Sequence, residues 1–227
     1  MKNIDFSGTD GENDLSTQIG NYTLGIVKGL KEAKLPKNVV EKLLTPYPDS
    51  WIEWSINSTY KDRKTGEDKA IVSPYVSGHR VVAFVNSILG IDGWSYTIQD
   101  SGISIVNNSA SPTRVSYAYV IGCVKINEVI KCDVGESVAS FNRKDGTDIN
   151  IIGKEKNAAS VKNASTDAIK RSLRMYGIGL YLWFAPIVFT DKPKSKYDPV
   201  EVDKAQYNKL RAVGDNIKSK ILEAYDN

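Results

Sequence analysis

Cysteine and histidine are almost absent from the 227 residues: there are two Cys, Cys123 and Cys132, and one His, His79. A structural zinc cage draws its ligands from four such groups, so that class is excluded. No apolar run approaches the roughly 18 residues of a membrane span, so a transmembrane helix is excluded, and no membrane partner is expected. The first residues are acidic and polar (Asp5, Asp10, Glu12, Asp14) and lack an apolar core. No secretory signal is therefore expected, and the cytoplasm is the expected location. There is no G-x-x-x-x-G-K-[ST] loop to cradle a nucleotide. Carboxylates clustered as a hydrolytic metal site requires are not visible either. The expectation is a protein that is not an enzyme, with no catalytic residue, no metal and no cofactor.

The charge balance decides little by itself. Thirty Lys and Arg stand against 27 Asp and Glu, a net +3, so a polyanionic partner has to be sought in local clustering. Hydrophobic content of 41% and charged content of 25% are ordinary for a globular chain.

Along the chain, residues 1–20 are rich in Gly, Ser, Thr, Asp and Asn and read as a disordered tail. Residues 22–34 carry a weak apolar pattern. Pro36 opens a short helix with Val39, Val40, Leu43 and Leu44 turned inward. Residues 51–60 alternate, with Ile52, Trp54 and Ile56 on one face, and pair with a second strand over 70–76 across a loop containing Gly66. Ser77 caps a helix that runs to about Leu89 and ends in Gly90-Ile91-Asp92-Gly93. Segments 94–99, 103–106, 115–126 and 129–138 are β-rich and separated by breakers, an antiparallel meander. If Asn127-Glu128 is a two-residue turn, Cys123 and Cys132 face each other; a disulfide is then geometrically allowed, though a reducing cytosol disfavours it.

Residues 140–156, with Arg143, Lys144, Lys154 and Lys156, read as a flexible loop. A strong helix over about 158–176 follows, stopped by Gly177. Residues 177–189 are apolar and aromatic and read as buried or at a subunit contact. A last amphipathic helix occupies about 203–225, with Tyr207, Leu210, Val213, Ile217, Ile221 and Tyr225 on one stripe. The domain reading is a tail at 1–20, one domain at 21–190, a linker at 191–202 and a C-terminal helix at 203–227.

The helix at 158–176 holds the chemistry. At about 100° per residue, Val161, Ala164, Ala168, Ile169, Leu173, Met175 and Tyr176 gather on one side. Lys162, Lys170, Arg171 and Arg174 gather on the other, with Asp167 the one acid among them. Such a face meets a polyphosphate well, because each cation releases a condensed counterion and Arg binds phosphate through two bonds at once. The pattern alone better fits the solvated side of an ordinary amphipathic helix, since basic surface helices are common.

Two segments add to that pattern. Tyr75-Val76-Ser77-Gly78-His79-Arg80-Val81-Val82 leads to Gly90-Ile91-Asp92-Gly93-Trp94. Ala164-Ser165-Thr166-Asp167-Ala168-Ile169-Lys170-Arg171-Ser172-Leu173-Arg174 leads into Met175-Tyr176-Gly177. Over roughly residues 70–180 the chain resembles the N-terminal annealing domain of the Rad fifty-two (Rad52) family, including its phage Sak-type members. Asp133-Val134-Gly135 is similar to a late strand of that family. The resemblance implies an α+β fold, with an antiparallel β-sheet (hairpin and meander) packed against a long basic helix, and an oligomeric ring with single-stranded DNA in a basic groove. It implies that Arg80, Lys170, Arg171 and Arg174 line the groove, with Lys162 one turn earlier. His79, beside Arg80 at the helix start, reads as a structural or DNA-contacting group rather than a base. Ile91 departs from the Tyr that the eukaryotic members carry in the Gly-x-x-Gly turn.

The function so implied is ATP-independent annealing of complementary strands in homologous recombination and repair. The partners are single-stranded DNA, further copies of the chain, and a phage exonuclease or host single-strand-binding protein. A coating protein that binds strands without annealing them, a metal-dependent nuclease and a plain oligomerisation scaffold are the rival readings. Asp145 and Asp148 read as turn residues rather than metal ligands. Tyr176, Tyr181, Trp183 and Phe184 read as packing groups before base-stacking ones. Gly177-Ile178-Gly179 follows a helix, not a strand, and so is no dinucleotide fingerprint.

Overall fold

The computed structural model describes residues 10–107, 114–141, 154–193, 195 and 198–227. They form an α+β protein with two antiparallel three-stranded sheets and five α-helices among the described residues. Helix α1 spans Asp10–Glu32, α2 Lys37–Leu43, α3 Gly78–Leu89, α4 Lys154–Arg174 and α5 Lys204–Asp226. The strands are β1 Glu53–Lys61, β2 Asp68–Tyr75, β3 Trp94–Asn107, β4 Arg114–Ile126, β5 Val129–Phe141 and β6 Val188–Asp191. No helix among the described residues is long and apolar enough to cross a membrane.

The chain divides into two compact units. One comprises Met1–Lys31, Leu35–Ser77 and Gly179–Asn227; the other comprises Glu32–Lys34 and Gly78–Ile178.

In the first unit the sheet order is β1-β2-β6. Alternation on β2 buries Ala70, Val72 and Pro74. Pro74 sits in β2 because β6 pairs only with Lys69 to Val72, so no ladder partner on that side needs its missing N–H. Strand β6 lies within the apolar 177–189 segment and the start of the expected linker, where no strand was anticipated. On β1 the register shifts between Ile56 and Ser58, and Ile56 is exposed rather than aligned with buried Ile52 and Trp54. Helix α5 starts where the sequence predicts, capped by the Asp203 carboxylate, which accepts the Ala205 N–H at 3.1 Å. It buries Leu210, Gly214, Ile217 and Ile221. Leu30 of α1 and Leu43 of α2 are fully buried, each a contribution of roughly 1.5–3 kcal/mol. The Tyr181 hydroxyl accepts the Tyr47 N–H at 3.1 Å, and burial pushes both phenols well above their ordinary range.

Helix α1 corrects the expected tail: from Asp10 onward the chain is helical. Thr23, Ile26, Val27 and Leu30 are buried at helical spacing. Gly20, Gly25 and Gly29 interrupt that pattern in sequence, each costing about 1 kcal/mol of helix propensity, and burial of the apolar stripe overrides them.

In the second unit β3, β4 and β5 form the expected meander. The two segments read at 94–99 and 103–106 are one strand. A register shift between Ile98 and Asp100 absorbs the apparent break. Asn127 adopts a left-handed φ of 50° in the β4–β5 turn and donates to the Ala33 carbonyl at 2.6 Å. The turn places Cys123 opposite Cys132, and the structure records a disulfide between them, contrary to the expectation from a reducing compartment. The expected loop at 140–156 falls mostly on 142–153, outside the described residues, as do Arg143, Lys144, Asp145 and Asp148. Strand β5 instead extends through Phe141, and α4 begins at Lys154.

Candidate nucleic-acid interface

Helix α4 is held to the sheet by positions four residues apart. Ser160 Oγ donates to the Val138 carbonyl at 3.3 Å, and buried Ser172 Oγ donates to the Gly122 carbonyl at 2.8 Å. Tyr176, just past the helix, bonds the Val124 and Val129 carbonyls at 3.2 and 2.8 Å; burial pushes its phenol up to about 12. Between them, Ala164 and Ala168 lie against Val120 and Ala118. Gly135 of β5 allows this approach, since a Cβ there would strike the Ala164 carbonyl and the Ala168 backbone nitrogen. The contact face therefore includes two serines that apolar periodicity did not count. Met175, placed on that face by the helical wheel, is exposed, because α4 ends at Arg174.

The two motifs of the sequence meet on another flank of α4. A Cβ on Gly78, the first residue of α3, would overlap the Cγ2 methyl of Thr166. Only glycine lets the start of α3 approach Thr166 this closely, and His79 and Arg80 follow at once. Thr166 lies one turn from Lys162, whose carbonyl accepts its hydroxyl at 3.0 Å, and one turn from Lys170. The end of α3 is fixed separately: the Trp94 indole N–H bonds Asn86 Oδ1 at 2.7 Å, while Ile91 in the intervening turn is exposed.

The flank of α4 toward β5 is polar. Asp167 Oδ2 accepts the Glu136 N–H at 3.4 Å, and Arg171 Nε lies 3.4 Å from Asp133 Oδ1. At about 100° per residue, Lys170 and Arg174 fall on the helix circumference between the Thr166 flank and the Arg171 flank. Both are partly exposed, as are Arg80 and Arg171, while His79 and Lys162 are exposed.

The six proposed residues thus belong to one unit, but not to a single row. Four of them lie on α4, with Lys170 and Arg174 between its two flanks, Lys162 two turns before Lys170 and Arg171 paired with β5. His79 and Arg80 follow directly on Gly78, the residue set against Thr166. Sequence reasoning missed Asp133 as a partner of Arg171; its only signal was the Asp-Val-Gly motif. Among the described residues, no group of three or more His, Cys, Asp or Glu is arranged to hold a metal ion. Tyr176, Tyr181 and Phe184 are buried packing groups, whereas Trp183 is 54% exposed.

The model of the Rad52/22 family double-strand break repair protein matches residues 40–200. The chain belongs to the Rad52/22 family. The match extends beyond the 70–180 stretch that carries the motifs, reaching back to α2 and forward past β6. The chain is 27% identical over 158 residues to the DNA repair and recombination protein RAD52 of Kluyveromyces lactis, covering 67% of this chain and 33% of that protein. It is 26% identical over 159 residues to the protein of the same name from Eremothecium gossypii, covering 69% of this chain and 34% of that one. The Saccharomyces cerevisiae protein is 27% identical over 133 residues. The matched region spans about a third of the length of the first two relatives. Within the Rad52/22 match lie the Gly78 and Thr166 motifs and every proposed cation.

Proposed function

We propose that this protein binds single-stranded DNA along α4 and anneals complementary strands without nucleotide hydrolysis, in recombination and repair. The observation that carries this is the contact of Gly78 with Thr166, which brings the His79-Arg80 helix start beside the helix bearing Lys162, Lys170 and Arg174. Cations on helix faces grip the sugar-phosphate chain and do not read bases, so binding is nearly independent of sequence and sensitive to salt. Neutralised phosphates lower the repulsion between two strands, and base pairing supplies the energy of annealing. The protein acts as a homo-oligomeric ring, with successive copies of α4 extending the groove, and works in the cytoplasm. The yeast relatives support the repair role at family level.

The test is annealing of complementary labelled oligonucleotides, with and without protein, in the absence of ATP. Acceleration over the spontaneous rate is the expected result. Binding that slows annealing would make the protein a coating protein, and magnesium-dependent cleavage of the labelled strand would make it a nuclease.

A further inference from the structure

Asp133 stands where it can oppose the function just proposed. Its Oδ1 accepts the backbone N–H of Val134 at 2.7 Å, which fixes the carboxylate on β5. The same oxygen lies 3.4 Å from Arg171 Nε, and the two side chains are 33% (Arg171) and 29% (Asp133) exposed. The contacting Nε is itself buried, so the exposed third of Arg171 lies elsewhere on the side chain. The contact is also longer than the 2.7–2.9 Å of a well-made charge-assisted bond, so it holds the guanidinium less firmly than such a bond would. Asp167, one turn before Arg171 on α4, is occupied differently, accepting a backbone N–H from Glu136.

We propose that Asp133 is a built-in counter-charge for the DNA groove, a positioning residue that acts through Arg171. With no strand bound, it holds the guanidinium against β5 and cancels its charge. A phosphate that reaches Arg171 must share the guanidinium with this carboxylate and meets its repulsion. The cation cluster is thereby kept from gripping DNA at full strength, which suits a protein that must surrender its strand to the duplex. This inference rests on the single-strand-binding reading of α4.

The experiment measures affinity and dissociation rate for a fluorescent oligonucleotide as salt is varied, with full-length protein. Asp133→Asn should bind roughly three- to tenfold tighter, the scale of one unit charge several ångströms away in a partly wet site. Its strand should dissociate more slowly, and the salt slope should steepen by about one. Asp133→Glu, which restores the charge, should return toward wild type. In an Arg171→Ala background only the direct relief of repulsion is left, so the Asp133→Asn gain should be smaller than in the wild-type background, whereas a merely structural role for Asp133 gives the same change in both. Should Asp133→Asn fail to fold, as judged by circular dichroism, Asp133→Ser carries the same expectation, since its hydroxyl can still accept the Val134 N–H. Unchanged or weaker binding in the substituted protein, or a gain undiminished without Arg171, overturns the proposal. Failure of the wild-type protein to bind single strands would instead overturn the parent reading.

Discussion

Gly78 and Thr166 touch so closely that no Cβ fits between the start of α3 and the flank of α4. The contact joins the two sequence motifs on which the family likeness rests. A methyl group at Gly78 must push aside the Thr166 Cγ2, and overpacking of this kind costs about 1–3 kcal/mol. Gly78→Ala should lose that much unfolding free energy in urea. Adding Thr166→Ser, which deletes the obstructing methyl, should recover most of it. A neutral Gly78→Ala would mean that the helix start is not held where it is described.

Gly135 poses a harsher test, because its obstruction is backbone. A Cβ there meets the Ala164 carbonyl and the Ala168 backbone nitrogen, neither of which can rotate away. Gly135→Ala should cost about 3 kcal/mol or more, the upper end of overpacking losses. Ser172→Ala, which removes one buried bond to the Gly122 carbonyl, should cost about 1 kcal/mol. Equilibrium urea unfolding measures both.

The buried phenols predict a loss of stability in alkali. Burial raises the Tyr176 hydroxyl to about 12 and shifts Tyr47 and Tyr181 upward as well. The neutral form is favoured in the folded state, and an unfolded tyrosine ionises near pH 10. Their contribution is therefore fully present below about pH 10 and is lost as pH rises through the folded values. Unfolding free energy followed from pH 8 to 12, with tyrosinate absorbance as a second readout, should fall over that window. Tyr176→Phe should lower stability at pH 8 and flatten part of the alkaline decline.

The Cys123–Cys132 disulfide closes a short loop, with a sequence separation of 9. Closure of such a loop is worth about 2–3 kcal/mol on chain-entropy grounds. Reductant should lower the urea midpoint accordingly, and Cys132→Ser should have the same midpoint with and without reductant. A midpoint that reductant leaves unmoved would show that the bridge contributes nothing.

Most of the second unit was legible in sequence because its signals are local. Alternating residues and the Asn127-Glu128 turn specify the meander, and that turn alone sets Cys123 across from Cys132. Helix α4 announces itself through its apolar repeat, although Ser160 and Ser172 were invisible as core positions: their burial depends on strand carbonyls that only the folded sheet supplies. Strand β6 was missed because it has four residues and pairs with β2, far away in sequence. The α1 stripe was hidden by glycines that tertiary burial overrides. In the site, residue types and helix face were readable, but the turn of Arg171 toward Asp133 was not. On a helical wheel Arg171 is one more surface cation; only the packing of α4 on β5 makes it one half of an ion pair.

The central claim is that α4 grips a phosphate backbone, and salt-dependent binding of single-stranded oligonucleotides to Lys170→Ala and Arg174→Ala proteins tests it most directly. Each substitution should weaken binding to oligonucleotides of every base composition alike and lower the salt slope by about one. Arg171→Ala should weaken binding as well, because it removes one cation and leaves the Asp133 carboxylate without that counter-charge beside the groove. Affinities and slopes that match the wild-type protein in both Lys170→Ala and Arg174→Ala would contradict the account.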